Sequence, residues 1–439
     1  MDTAAEPAEP TYTWRKAPGF IRPPHPIPAS HMKLLGLVGV ATLLGAYDLQ
    51  IFGLAAKQIL PDFGLSENMT GPTVAIFRLG VFGALLLCLA ADVIGRRRLL
   101  LFTVLGMALS TLATAFAPDY QTFLIAQFLV RIFAYTEDML CVVVLAEEIE
   151  ERSRGWAIGT LGALGALGAG VAVLVFALVN LLPYGWRSIY VLGAVPLLLL
   201  AWLRRRLPET KRFQEQAAAR EKPQGVLDAW RPLVTLIRLQ PGRLALMTLS
   251  IAPVAIGVAS ALVLMPTFLQ TAHGWSPGAI SMVIIGTGAI GVLASMWIGR
   301  LSDRIGRRPT ISCGIMFTLV GCLILYLAEA EWLLAVGILL SVFGNLAVSI
   351  QSEAFCAELF PTAYRATAAA LRFIAQILAG AIGLVVQGAI LAPLVGFGDA
   401  VLILLCPVPL ALIAVYFLPE TAGRTLEDLT PMETAAPFS

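Results

Sequence analysis

The chain has 439 residues, of which 58% are hydrophobic and only 13% charged, and its mean hydropathy is +0.83. That balance lies outside the soluble globular range and demands long lipid-facing or buried segments. A formal net charge of +2 excludes strong steering toward a nucleic acid or an acidic partner, so where the charges sit says more than their sum.

Residues 1–32 are polar, with Pro23, Pro24, Pro26 and Pro28 close together, and are expected to form a disordered cytoplasmic tail with no apolar signal-peptide core. Twelve apolar runs long enough to cross a bilayer follow, at 33–60, 73–94, 99–117, 120–146, 156–181, 187–206, 244–270, 278–299, 310–328, 332–357, 367–392 and 399–418. Residues 207–242, with Lys211, Arg212, Glu215, Arg220, Glu221 and Lys222, are the one long polar interruption. The chain therefore divides into a six-helix bundle over 33–206, a cytoplasmic connector over 207–242, a second six-helix bundle over 243–418 and a cytoplasmic tail over 419–439. The expected fold is an all-α membrane protein of twelve transmembrane helices in two bundles.

Lys and Arg collect on alternate loops: Arg15, Lys16 and Arg22 in the tail, Arg96 to Arg98, Arg152 and Arg154, the stretch from Arg204 to Arg243, Arg300 to Arg308, Arg365 and Arg424. The opposite loops hold Asp62, Glu67, Asp119, Glu329, Glu331 and Asp399, with Arg187 as their clear cation. The positive-inside rule then places both termini in the cytoplasm of a multi-pass plasma-membrane protein. In the fifth span Gly155, Gly159, Gly162, Gly165, Gly168 and Gly170 predict close helix packing, with Gly380 and Gly383 of the eleventh as a weaker counterpart. The six cysteines, Cys88, Cys141, Cys313, Cys322, Cys356 and Cys406, lack metal-site spacing and read as packing residues.

One layout occurs twice along the chain. Asp92 and Asp303, Gly95 and Gly306, Glu147 and Glu358, and Arg154 and Arg365 all stand at the same separation, as do the Pro-Glu-Thr runs from Pro208 and Pro419. Duplication inside a very apolar chain is the build of many secondary transporters. The runs Cys88-Leu-Ala-Ala-Asp92-Val-Ile-Gly95-Arg96-Arg97-Arg98 and Gly299-Arg-Leu-Ser-Asp303-Arg304-Ile-Gly306-Arg307-Arg308 resemble the signature loop of the major facilitator superfamily. The second copy fits fully, whereas the first has Cys88 for the leading Gly and Val93 for the following Arg. Glu147 with Arg154, Glu358 with Arg365, the Pro-Glu-Thr runs and Gly185-Trp186-Arg187 resemble further motifs of its sugar-porter-like branch, which also includes organic-acid carriers. The resemblance implies two rocking bundles and a cytoplasmic gate built from Asp92, Gly95, Arg96, Glu147, Arg154, Asp303, Gly306, Arg307, Glu358 and Arg365.

Ionisable residues inside spans cost roughly 2.5 to 3.5 kcal/mol each on insertion scales unless paired or hydrated. Asp48 shares a helical stripe with Ala41, Gly45, Phe52 and Ala55, a mostly small face suited to a cavity wall. Gln127, Arg131, Tyr135 and Asp138 recur on one face of the fourth span, with Glu137 pointing elsewhere. At the helical rise, Asp48 and Arg131 stand ~22 and ~24 Å from the cytoplasmic ends of their spans, at matching depth. The resemblance adds that the first, fourth, seventh and tenth helices line the central path. Glu353 and Arg372 are expected to pair between the tenth and eleventh spans; Asn345 and Gln376 continue polar stripes, and Lys57 and Arg78 are expected to snorkel to the outer interface.

These readings predict a proton-coupled symporter of a small organic acid, with Arg131, Gln127, Tyr135, Asn345 and Gln376 toward the solute and Asp48, Asp138 and Glu137 toward the proton. A sugar or polyol carrier, an organic-cation exporter and a transporter-like solute sensor stay open as alternatives. No Gly-Lys-Ser or Gly-Lys-Thr loop, nucleophile elbow or metal-ligand cluster occurs, so no cofactor, metal or catalytic residue is assigned. The expected partners are the solute, protons and the lipid bilayer, with no nucleic acid, and the expected state is monomeric.

Overall fold

A computed structural model describes residues 11–12, 23, 25–205, 231–360 and 365–421. The helices are α1 (Ala29–Ile59), α2 (Thr70–Arg78), α3 (Gly80–Ile94), α4 (Arg96–Ala115), α5 (Tyr120–Glu148), α6 (Glu151–Phe176), α7 (Trp186–Arg204), α8 (Arg231–Leu239), α9 (Pro241–Ala272), α10 (Pro277–Ile305), α11 (Arg307–Leu327), α12 (Glu331–Leu359), α13 (Arg365–Val385), α14 (Ala392–Val395), α15 (Phe397–Leu405) and α16 (Val408–Phe417). Among the described residues, 10 helical segments are long and apolar enough to cross a membrane, and Pro277–Gly291 adds a shorter one. α5, which carries Arg131, Glu137 and Asp138, falls outside that set. Within 1–32, Thr11–Tyr12 pairs antiparallel with Ile27–Pro28, and α1 already begins at Ala29, so His31 stands in its first turn.

Local chemistry sets the helix ends. Asp119 caps α5 by accepting a hydrogen bond from the Thr122 backbone N–H at 2.8 Å, which holds its carboxyl below the usual carboxylate range. Ser276 caps α10 in the same way. Gly95 and Gly306 adopt φ of 101° and 106°, a region an L side chain avoids, and so turn the chain sharply into α4 and α11. The second span breaks at Leu79 between α2 and α3, and the eleventh passes through a π-helical turn at Val386–Leu391.

Two compact units emerge: Met1–Phe52 with Gly80–Pro223, and Gly53–Leu79 with Gln224–Ser439. In the first, α4 packs on α5 and α7, and α3 packs on α5. Its core holds two apolar clusters, one including Val38, Leu140 and Val144, the other Ala41, Met107 and Leu197. In the second, α11 packs along α12, and α9 packs on α13 and α16.

Close backbone approach is distributed differently from the glycine count. A side chain at Gly155, Gly159, Gly162 or Gly170 would meet nothing within 4 Å, and only Gly168 abuts backbone, at Leu43. Further tight seams lie in the second unit. Gly321 abuts Ser341 N, Gly337 stands where a Cβ would come 2.8 Å from Leu325 N, and Gly383 abuts Ile256 O. Glycine repetition thus marked a face free of side chains, and which such face is covered depends on the neighbouring helix.

Candidate functional site

Four helices of the first unit converge on Asp48. The residue is fully buried in α1, and the Thr111 hydroxyl of α4 donates to its Oδ2. Gln127 and Arg131, one turn apart on α5, and Tyr190 of α7 stand within its electrostatic reach. Gln127 donates from Nε2 to Thr114 Oγ1 at 3.2 Å, whereas Asp48 Oδ1 accepts no hydrogen bond from the described residues. Tyr190 is held edge-on by Phe123 and Trp186, with ring centroids 6.3 and 6.0 Å away. Arg131 is fixed from behind because Gly80 opens α3 there: a Cβ at Gly80 would come within 2.8 Å of Arg131 Cβ. Of the Asp48 stripe, Ala41, Phe52 and Ala55 are packed, while a side chain at Gly45 would meet nothing within 4 Å, leaving an opening one turn from the carboxyl.

Glu137 faces a different partner. The Arg204 guanidinium, fully buried at the end of α7, donates to Glu137 Oε1 and, at 3.0 Å, to the Leu37 carbonyl of α1. Thr103 of α4 donates to Glu137 Oε2, and Cys141 lies 3.4 Å from Oε1. This network ties α1, α4, α5 and α7 together. Asp138 and Tyr135 are half-buried, and Asp138 has no salt bridge among the described residues.

In the second unit Arg372 is nearly buried and donates to Glu353 Oε1 at 3.3 Å, Gln376 Oε1 at 3.3 Å and Ser352 Oγ at 3.4 Å. The Glu353 side chain is 68% exposed, which weakens the pair by solvent screening. Asn345 is half-buried on α12 and joins none of these bonds. Lys57 donates to the Gln270 carbonyl near the end of α9. Arg78 does not snorkel. It stands at the middle of the apolar segment Glu67–Cys88, and its guanidinium packs on Gly380. The helix begins earlier than residue 73, and that places Arg78 deeper than its count from the expected span end.

The two signature loops have matching geometry. Arg96 Nη2 lies 2.9 Å from Glu147 Oε1, and Arg307 Nη2 lies 3.0 Å from Glu358 Oε1. In the second copy Glu420 also accepts from the backbone N–H of Arg307 at 2.8 Å and of Arg308 at 3.1 Å, while Thr421 donates to Glu358. A carboxylate on the first two N–H groups of α11 satisfies donors that a helix leaves open and complements its dipole. Arg154 is half-buried in α6; the side chains of Asp92, Asp303 and Arg365 lie outside the described ones. Gly306→Ala is expected to cost about 1–3 kcal/mol through the positive φ, because the new Cβ would also come within 2.7 Å of Glu420 Oε2. Thermal unfolding in detergent reads this as a lowered Tm, and an unchanged Tm would contradict the turn geometry.

Arg204, Glu420, Thr111 and Tyr190 are the residues that sequence reasoning missed. Arg204 follows a long apolar run at the start of a basic stretch, so nothing in the sequence separates it from a loop cation. Glu420 carried a signal, the repeated Pro-Glu-Thr run, but its partner was invisible.

Helical spans, buried intramembrane charge and two matched turn clasps define a multi-pass membrane transporter. The model of the Major Facilitator Superfamily matches residues 38–257 and 247–436, and the chain belongs to that superfamily. Among its relatives are a gallate transporter of Pseudomonas putida, 27% identical over 451 residues covering 93% of this chain and 96% of the relative. A probable 4-methylmuconolactone transporter of Cupriavidus pinatubonensis is 28% identical over 404 residues, covering 90% and 92%. The fold is similar to the crystal structure of a D-xylose-proton symporter, with a TM-score of 0.73 at 21% identity, over 90% of this chain and 99% of that one.

Proposed function

We propose that the chain is a proton-coupled symporter of a small organic acid, working by alternating access of its two bundles in the plasma membrane. The observation that carries this reading is the buried Asp48 carboxyl, held through one oxygen by Thr111 and facing Arg131. Its second oxygen accepts no hydrogen bond from the described residues. Arg131 supplies a positive charge for an anionic solute, Gln127 and Tyr135 flank it, and Asp138, ~10 Å further along α5, is a second proton-accepting group. Glu137, already engaged by Arg204, serves structure before coupling. Asn345 and Gln376 offer polar contacts from the second bundle, and the Arg96–Glu147 and Arg307–Glu358 clasps are proposed as parts of the cytoplasmic gate, together with Asp92, Arg154, Asp303 and Arg365. The names of the gallate and methylmuconolactone relatives support an organic-acid solute. The basic loops support cytoplasmic termini, connector and tails.

The test is proton flux into proteoliposomes on addition of aromatic acids, aliphatic acids, sugars or organic cations. Flux elicited by acids supports the proposal; flux elicited only by sugars or cations, or none with any solute, overturns it. Arg131→Lys is expected to raise KM for the acid about tenfold, because an ammonium loses the planar two-point grip on a carboxylate. Equal KM in uptake assays would remove Arg131 from that role.

A further inference from the structure

Around Asp48 the first unit buries more oxygens than its side chains pair. Asp48 of α1, Gln127 of α5 and Tyr190 of α7 are fully buried. Asp48 Oδ1, Gln127 Oε1 and Tyr190 Oη nevertheless find no hydrogen-bond partner among the described residues. Buried polar atoms are nearly always paired, because leaving one unpaired forfeits its hydration for nothing. All three belong to one unit, and Gln127 and Tyr190 each interact with Asp48, so they mark one place and not three separate defects. The neighbouring Tyr47 shows the contrast, since its hydroxyl donates to the Ile189 carbonyl at 2.8 Å. The roles of the three oxygens are set by what already holds their side chains. Thr111 takes Asp48 Oδ2 and leaves Oδ1 as an acceptor, while Gln127 commits Nε2 to Thr114 and leaves Oε1 as an acceptor. Tyr190 offers its hydroxyl proton. Two acceptors and one donor match a single water molecule, which donates twice, accepts at least once and makes about three hydrogen bonds when buried. A bound metal cation suits the place less well, because the Arg131 guanidinium stands within electrostatic reach of the same carboxyl. Gly45, three residues before Asp48 on the same face, is buried, yet a Cβ there would meet nothing within 4 Å, so this face is not packed shut.

We propose that Asp48, Gln127 and Tyr190 hold one water molecule, and that this water passes the coupling proton to and from Asp48. The proposal rests on the proton-coupling reading of Asp48. Tyr190 donates to the water oxygen, and the water donates to Asp48 Oδ1 and Gln127 Oε1. In loading, an O–H bond of the water breaks as one forms at Oδ1, and a proton arriving from solvent restores the water; unloading reverses both steps. Tyr190 is thus a positioning residue, which aims the water at Oδ1 and is itself held edge-on by Phe123 and Trp186.

The experiment is infrared difference spectroscopy of the full-length protein in proteoliposomes across a pH step, in ordinary and in heavy-oxygen water. A held water gives an O–H stretching band that changes with the step and moves to lower frequency in heavy-oxygen water. Tyr190→Phe keeps the ring between Phe123 and Trp186 and removes the hydroxyl alone. It is expected to abolish the band, to lower Tm and to slow proton-driven uptake about tenfold, the effect of one ordinary hydrogen bond on a barrier. Counterflow should keep its wild-type rate. A hydroxyl bonded to nothing predicts the opposite sign: its removal raises Tm and leaves uptake unchanged, and that result overturns the proposal. Gln127→Met, read by the infrared band alone, keeps the test open if Tyr190→Phe does not fold, since loss of the band supports the water and its persistence overturns it. Wild-type protein without any isotope-sensitive band overturns it as well. If Asp48→Asn still concentrates solute, the coupling reading falls and the relay falls with it. If Asp48→Asn loses accumulation while Tyr190→Phe behaves as wild type, only the relay falls.

Discussion

Asp48→Asn is expected to abolish uphill accumulation of solute while preserving exchange of solute across the membrane. Asn keeps the volume and accepts the Thr111 hydrogen bond, but it cannot take up or release a proton. Each proton moved down a gradient of one pH unit supplies ~1.4 kcal/mol, which supports about tenfold accumulation for one proton per solute. The variant should therefore equilibrate solute instead of concentrating it, in proteoliposomes where the wild type responds to an imposed pH step. Counterflow, which needs only the loaded carrier to reorient, should persist. Undiminished proton-driven accumulation in Asp48→Asn would end the assignment of coupling to this residue.

The second large effect is on stability. Glu137 and Arg204 are buried together in the first unit, with side-chain exposures of 1% and 0%. Removing one partner leaves a buried charge uncompensated and costs about 3–5 kcal/mol. Glu137→Val and Arg204→Val are each expected to lower stability by that amount. Replacing both at once should be close to neutral, since neither a charge nor a desolvation penalty remains. The protein itself supports this: at the corresponding places of its second repeat stand Val348 and Val415, both buried. Thermal unfolding of the two single variants and the double variant gives the coupling directly. A double variant as unstable as the sum of the singles would show that the pair contributes through the Leu37, Thr103 and Cys141 contacts and not through charge balance.

The fold was legible because lipid imposes a simple rule, namely that apolar helices of fixed minimum length must carry the chain across. The signature-loop turns were legible because only glycine suits φ near 101° or 106°. Asp48, Arg131, Glu353 and Arg372 stood out because charge in a span is rare, and the structure places Arg131 near Asp48 and Arg372 beside Glu353. Direction was the illegible part. A sequence misjudges the depth of Arg78 because its segment begins at Glu67 and not near residue 73, and it does not say whether a side chain several atoms long reaches toward water, lipid or a neighbouring backbone. Partners distant in sequence were hidden for the same reason. Nothing local to Glu137 names Arg204, and nothing local to Arg307 names Glu420.

That last contact has a consequence for biosynthesis. The cap on α11 comes from Glu420, 113 residues after Arg307. While the chain is being made, α11 has to enter the bilayer with its first N–H groups open to water or lipid headgroups, and it acquires its permanent acceptor only after α16 has been completed. Closure of the second unit is therefore set by a residue that emerges after its last span, so a chain interrupted just before Glu420 would possess every span and still lack the tie that fixes its first basic turn.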